Sequence, residues 1–219
     1  VTESYADGNF SLQITQTGAD LPNAGQQKSF HMPLAMGFVA PDGTCLDLFA
    51  ADINSSAETI LRDDGKTLLL EAKERASELT ISNLTAKPVV SFLRGFSAPV
   101  KVSHERDAQE LAFLVQHDTD GFVRWDAMQT LWISHLDANT TAVVDPVAVL
   151  GDLAKDALAL VTPEQQLLAA TMLTVPNENY LFEQLRGFEV DTLLDARDLA
   201  VQGAALRHAD TWAALGYRS

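Results

Sequence analysis

The stretch SFLRGFSAPVKV, residues 91–102, separates two kinds of sequence. Before it, apolar residues alternate with polar ones. After it, they recur at helical spacing. Phe92 and Leu93 close an apolar run, and Gly95 fits a bulge or a close backbone approach. Pro99 has no N–H to give to a ladder, so it ends the last strand, and Val100 and Val102 lead into the first helix. None of this accounts for Arg94. The residue sits beside the strand end, where hydrogen bonding to backbone carbonyls is its expected role.

Working backward, residues 1–102 follow a period of two. In FSLQITQ, Phe10, Leu12 and Ile14 face one way while Ser11, Gln13 and Thr15 face the other, the pattern of a half-buried strand. SFHMPLAMGFV, residues 29–39, predicts a longer strand, and Pro33 within it predicts an edge or a bulge. PDG at 41–43 is a turn, and Asp64-Gly65 before TLLLEA is a hairpin signal. SELTISNL (77–84) and KPVVSFLRGF (87–96) complete a set of short strands that reads as a β-sandwich.

Working forward, residues 103–219 follow a period of 3.6. Ser103 is the expected N-cap of the first helix, with Asp107 and Glu110 as a capping-box-like pair. In GFVRWDAMQTLWISHL, Phe122, Trp125, Met128 or Gln129, Trp132 and Leu136 fall on one stripe. Pro146 starts a helix, as does Thr162-Pro163-Glu164. A short helix closed by Gly187 follows, then one long helix from Asp191 to Leu215 that Gly216 terminates. Short connections favour antiparallel pairs. The fold class is therefore an all-β domain, 1–102, followed by an all-α segment, 103–219. Without a Gly/Ser linker and with Pro99 stiffening the join, the halves are expected to dock through Phe92 or Phe96 and the Trp125 region.

Composition narrows the function. The formal net charge of −15 repels nucleic acid and gives no support to binding an anionic membrane. No run reaches the roughly 18 uncharged apolar residues of a spanning helix. Cys45, the only cysteine, permits no internal disulfide and suits a reducing, cytoplasmic location. Val1 is not an initiator methionine, and the first residue is expected to be a cut inside a longer polypeptide. The sequons at Asn9, Asn54, Asn83 and Asn139 are short patterns of the kind that arise by chance.

The chain offers little chemistry. HERDA at 104–108 begins like the zinc-binding His-Glu-x-x-His, but Ala108 stands where the second imidazole is needed. His117-Asp118 has the form of a base and its orienter, though a helix-end cation beside a solvated acid is the commoner meaning. His135 adjoins the Trp132 stripe, and Cys45 reads as a small apolar filler. There is no Gly-x-Ser-x-Gly elbow and no phosphate loop. Catalytic, cofactor-binding and metal residues are all assigned as none.

FLRGFSAPVKV followed by LAFLVQHDTDGFVRWDAMQTL closely resembles a run in the bacterial aminopeptidase N family, zinc-dependent alanyl aminopeptidases of the gluzincin group. That family carries a similar Arg-x-Phe-Ser-Ala-Pro-Val strand end. It then carries an Asp-x-Phe-x-Arg-Trp-[Asp/Glu]-Ala-x-Gln helix start, matched here by Asp120, Phe122, Arg124, Trp125, Asp126, Ala127 and Gln129. FSLQITQT and KSFHMPLAMGFVAPDG, with His31 and Pro33, also look like strands of that region.

The resemblance implies an Ig-like sandwich and the start of a superhelical-type lid domain, both downstream of a catalytic domain. The zinc motif is missing here, so no catalytic residue carries over; Arg94 and Arg124 match motif positions as scaffold. The implied role is that of a non-catalytic spacer and support within a zinc aminopeptidase acting on peptides. Its partner would be the parent's own catalytic domain, and the isolated chain should be inactive. The alternative is a stand-alone Ig-like plus helical interaction module. On the last helix, Val190, Leu194, Val201, Ala205, His208 and Trp212 form an expected inner stripe. Leu199, Leu206 and Ala213 form a second stripe, expected to be exposed or covered by a second copy through self-association at Leu199 and Leu206.

Overall fold

The computed structural model describes residues 1–18, 29–137 and 143–216. Asn139 lies outside the described residues. The chain divides into two compact units: Val1–Arg106 with His117–Val123, and Asp107–Gln116 with Arg124–Ser219.

Among the described residues, the first unit holds eight strands: β1 (Thr2–Ala6), β2 (Asn9–Thr15), β3 (Met32–Val39), β4 (Asp52–Ser55), β5 (Glu58–Leu61), β6 (Leu68–Ala72), β7 (Ala76–Ser82) and β8 (Val89–Phe92). They form two antiparallel sheets, ordered β1-β2-β7-β4 and β5-β6-β3-β8. Alternation places Phe10, Leu12 and Ile14 inward, and Phe10 and Leu12 sit opposite Ile81 and Leu79. The second sheet supplies Leu34, Met36, Phe38, Leu68, Leu70 and Val90 to the same apolar cluster. Phe10 and Phe38 meet there edge to face, with ring centroids 5.9 Å apart.

Pro33 meets the expectation of an edge only locally. β3 is an inner strand, paired with β6 over Met32–Met36 and with β8 over Met36–Val39. The Ala35 N–H points to the flank beyond the end of β8 and donates to Ser97 Oγ at 2.9 Å. Alternate residues of a strand point their N–H groups the same way, so the Pro33 nitrogen faces that flank too, where no ladder bond is lost. The strand begins at Met32 rather than at Ser29. Cys45 is not in a strand; it makes an isolated bridge to Val39.

The helices are α1 (Ala108–His117), α2 (Gly121–Leu136), α3 (Pro146–Ala157), α4 (Pro163–Met172), α5 (Glu178–Gln184), α6 (Val190–Arg207) and α7 (Ala209–Ala214). Asp107, not Ser103, caps α1: its Oδ1 accepts the Glu110 N–H at 2.7 Å. Asp145 caps α3 ahead of Pro146, and Thr162 with Gln165 forms the capping box of α4. Leu136, Leu181, Leu185 and Leu193 make one buried cluster of the second unit.

The expected helix from Asp191 to Leu215 breaks at His208, whose φ of −118° and ψ of 27° are not helical. The imidazole explains the break. An ideal Cβ on Gly151 of α3 would lie 2.0 Å from His208 Cε1, so the ring rests on the bare backbone of α3. His208 Nε2 is 3.0 Å from the Val147 carbonyl. The inner stripe of α6 is also corrected. Leu193, Ala200 and Ala204 are buried, while Val190 and Val201 are 47% and 38% exposed. Apart from Leu193, small side chains line the inner side of α6, while Val190 and Val201 turn outward. Leu199 and Leu206 are 71% and 80% exposed, as expected.

Gly151→Ala should therefore lower the stability of the helical unit by about 1–3 kcal/mol through overpacking against His208. All three tryptophans, Trp125, Trp132 and Trp212, lie in that unit, so fluorescence during urea unfolding reads it directly. His208→Ala in the same chain should restore part of the loss. An unchanged midpoint for Gly151→Ala would show that the ring does not occupy this notch.

Candidate functional site

The residues singled out by the sequence gather around Arg94 in the first unit. The side chain is 6% exposed and spans three segments. One terminal nitrogen, Nη1, donates to the Lys66 carbonyl at 2.9 Å and to Thr67 Oγ1 at 3.1 Å. The other, Nη2, donates to Asp118 Oδ1 at 3.4 Å and to Thr119 Oγ1. Gly37 of β3 leaves room for it: a Cβ there would lie 2.6 Å from Nη1. The backbone turns sharply to aim the side chain. Leu93, Gly95 and Phe96 all have positive φ, at 60°, 61° and 53°. Glycine adopts this region freely, whereas each of the other two costs roughly 1–2 kcal/mol.

Asp118 is thus the partner of Arg94 and not the orienter of His117. Its side chain is fully buried, its Oδ1 also accepts the Asp120 N–H at 2.9 Å, and its Oδ2 has no partner among the described residues. His117 rests against Gly43. Asp120 accepts the Gly95 N–H at 2.9 Å on one oxygen and the Val123 N–H at 3.0 Å on the other, so it also caps α2. Phe96, 54% exposed, tilts against Phe122 with ring centroids 5.1 Å apart.

The remaining motif residues serve the second unit. Arg124 Nε donates to the Val115 carbonyl at 2.8 Å, in the last turn of α1. Trp125 lies 6.3 Å from the Tyr180 ring, and buried Gln129 donates to the Thr174 carbonyl at 3.1 Å. Burial raises the Tyr180 hydroxyl above its ordinary range, helped by the Asp126 and Glu183 charges.

The five histidines do not converge. His31 contacts Glu71 and His135 meets the edge of Trp132, while His208 lies on α3. Among the described residues, no group of three His, Cys, Asp or Glu side chains could hold a metal ion. No described helix is long and apolar enough to cross a membrane.

His104 belongs to a buried network that the sequence did not disclose, since its partner Glu3 lies 101 residues away. Arg106 Nε donates to His104 Nδ1 at 3.1 Å, which makes that nitrogen the acceptor. The opposite nitrogen, Nε2, therefore carries the proton given to Glu3 Oε1 at 2.7 Å. Burial alone would raise the Glu3 carboxyl, but hydrogen bonds from His104 and Lys87, with the Lys87 charge, outweigh it. They hold the carboxyl at about 2.

Beside Arg94 is a polar cavity of about 490 Å³ within the first unit, lined in part by Arg62, Asp64, Lys66 and Ser97. Asp64 accepts the Lys66 and Thr67 N–H groups and the Thr67 hydroxyl. These bonds, that from Lys66 foremost, hold its carboxyl below the usual range.

A family described as a domain of unknown function with an Ig-like fold (DUF3458) matches residues 1–105. A second, described as a domain of unknown function with ARM repeats (DUF3458_C), matches residues 108–218. Aminopeptidase N of Escherichia coli K12 is 25% identical over 208 residues, 92% of this chain and 22% of that protein. Aminopeptidase N of Haemophilus influenzae is 23% identical over 205 residues, and that of Caulobacter vibrioides is 40% identical over 74. The crystal structure of Legionella pneumophila aminopeptidase A in complex with aspartic acid shares the fold over 96% of this chain, with a TM-score of 0.73 and 20% identity. The chain spans 22% of the length of the first two aminopeptidase N relatives.

Two outcomes test the buried charges. Arg94→Gln should destabilise the sandwich by about 3–5 kcal/mol, because it strands the Asp118 carboxylate. Arg94→Lys should recover little, having one point charge in place of a planar fork. For Glu3, the folded value of about 2 lies below the ordinary 4.5, so its contribution is complete above 4.5 and fades as pH falls through 2. The stability gap between the native chain and Glu3→Gln should be up to about 3 kcal/mol at pH 6 and should close towards pH 2. A gap independent of pH would refute the assignment.

Proposed function

This chain belongs to the DUF3458 family, its helical part matching the ARM-repeat model over residues 108–218, and from that membership we propose that it is the Ig-like and first helical portion of a zinc aminopeptidase. The observation that carries the reading is the match to aminopeptidase N, which runs through both parts of the chain over nine-tenths of its length. The linked motifs around Arg94 and Asp120 add to it, because their residues form one hydrogen-bonded arrangement.

In this reading the work is positional. The sandwich is a spacer, and the helices begin a lid over a catalytic domain that lies elsewhere in the parent, in the cytoplasm. A lid of this kind limits access and excludes water. In this reading the metal and the peptide substrate belong to the catalytic domain. Leu199 and Leu206 would meet further helices of the same array, and in the isolated chain they would support self-association.

The test is direct. The purified chain should bind no stoichiometric zinc and should not cleave alanyl-anilide substrates. The coding sequence upstream of Val1 should encode His-Glu-x-x-His and a more distant Glu. In sedimentation, Leu206→Lys should weaken any self-association without loss of folding. Chelator-sensitive turnover by the pure chain, or the absence of the upstream motif, would sink the proposal.

A further inference from the structure

The cavity beside Arg94 has an unbalanced set of hydrogen-bonding groups. Its two lining carboxylates already have donors and keep their charge. Asp64 accepts three hydrogen bonds from Lys66 and Thr67, and Asp120 accepts the Gly95 and Val123 N–H groups. Asp118 accepts from Arg94 behind the wall.

The donors are not used up. Arg62 and Lys66, both exposed, line the cavity, and neither side chain has a hydrogen-bond or ion-pair partner among the described residues. Ser97 Oγ accepts from Ala35 N–H, and its own proton has no acceptor among the described residues. Arg94 uses Nη1 and Nη2, which leaves Nε–H without a described partner. Among the described residues, two cations without a partner, a hydroxyl and a guanidinium N–H thus share one space of about 490 Å³ with the Asp64 and Asp120 carboxylates, in a chain of net charge −15. On the Arg62, Lys66 and Ser97 side of this space, away from Asp64 and Asp120, a ligand that accepts hydrogen bonds and carries negative charge is the one these donors suit.

We propose that this cavity binds a small oxyanion of the carboxylate or phosphate class, with Arg62 and Lys66 as its charged contacts, Ser97 as a neutral donor and buried Arg94 fixing the floor. The site is independent of the aminopeptidase reading, because it needs no residue outside the sandwich unit. Arg94 is committed to Asp118 and sets geometry. Arg62 and Lys66 supply the attraction and can be replaced without opening the core.

The experiment is an amide-resolved NMR titration of the full chain with potassium phosphate and, separately, with succinate. Potassium chloride at matched ionic strength is the control. The amides of Gly95 and Thr119 should shift and saturate with at least one of the two anions, and the anion that saturates assigns the class. Arg62→Gln and Lys66→Gln should each weaken binding about tenfold or more, equivalent to about 1.4 kcal/mol. The double variant should abolish saturation while unfolding at the same urea concentration as the native chain. Shifts that stay linear and match chloride would overturn the proposal, as would saturation that survives in the double variant.

Discussion

A guanidinium held out of water constrains the first unit more than any other single group. Removing an ion from water costs several kcal/mol, and that cost is offset only when its donors are met with good geometry. Arg94 has its carboxylate in Asp118, its carbonyl in Lys66 and its hydroxyls in Thr67 and Thr119. These come from the 62–67 loop and from the segment after α1, so the loop, the strand end and that segment must be in register together. Gly37 is bare because a methyl group there would occupy the place of Nη1. The positive φ of Leu93 and Phe96 is strain that these bonds hold in place.

The same constraint gives the two motifs a common physical cause. Arg94 and Asp118 are separated by 24 residues in the chain and by one hydrogen bond in the fold. Asp120 repeats the arrangement at the next step, fastening the Gly95 N–H with one oxygen and the first turn of α2 with the other. Ser97 then completes the unladdered flank of β3. Residues that look like scattered identities are therefore the two ends of a single set of bonds. A change at one end leaves a buried polar group at the other without its partner.

Much of the architecture was legible in the sequence, because alternation and helical spacing report directly on which side chains leave water. β2 and β7 follow their patterns residue by residue. The misreadings have another origin. Pro33 read as an edge or a bulge, which holds only for the start of an inner strand, because a sequence shows a missing donor but not which flank that donor would face. The last helix read as unbroken, with the wrong inner stripe, because a helical wheel weighs apolar size alone. Here Ala200 and Ala204 lie inside and the larger Val190 and Val201 turn outward. Asp118 read as a solvated acid beside His117, not as a buried one, because neighbours in sequence are visible and neighbours across a fold are not. For the same reason Glu3 and His104, at opposite ends of the sandwich sequence, carried no local signal.

The two units differ in how they bury their surface. The sandwich closes on large side chains, with Phe10, Phe38, Leu34 and Leu70 at 2% exposure or less. The inner side of α6 instead offers Ala200, Ala204 and the single leucine Leu193. Small side chains let helices approach closely, but they remove little apolar area from water, and that area sets the stabilisation. At the same time Leu167, Leu199 and Leu206 stand 70–80% exposed. A unit whose last helix buries little and carries large apolar groups on its outside is suited to stacking, because each added layer buries surface that a single layer leaves wet. The helical part has buried side chains of its own, Trp132, Met128 and Leu181 among them, and stacking would add to what they supply.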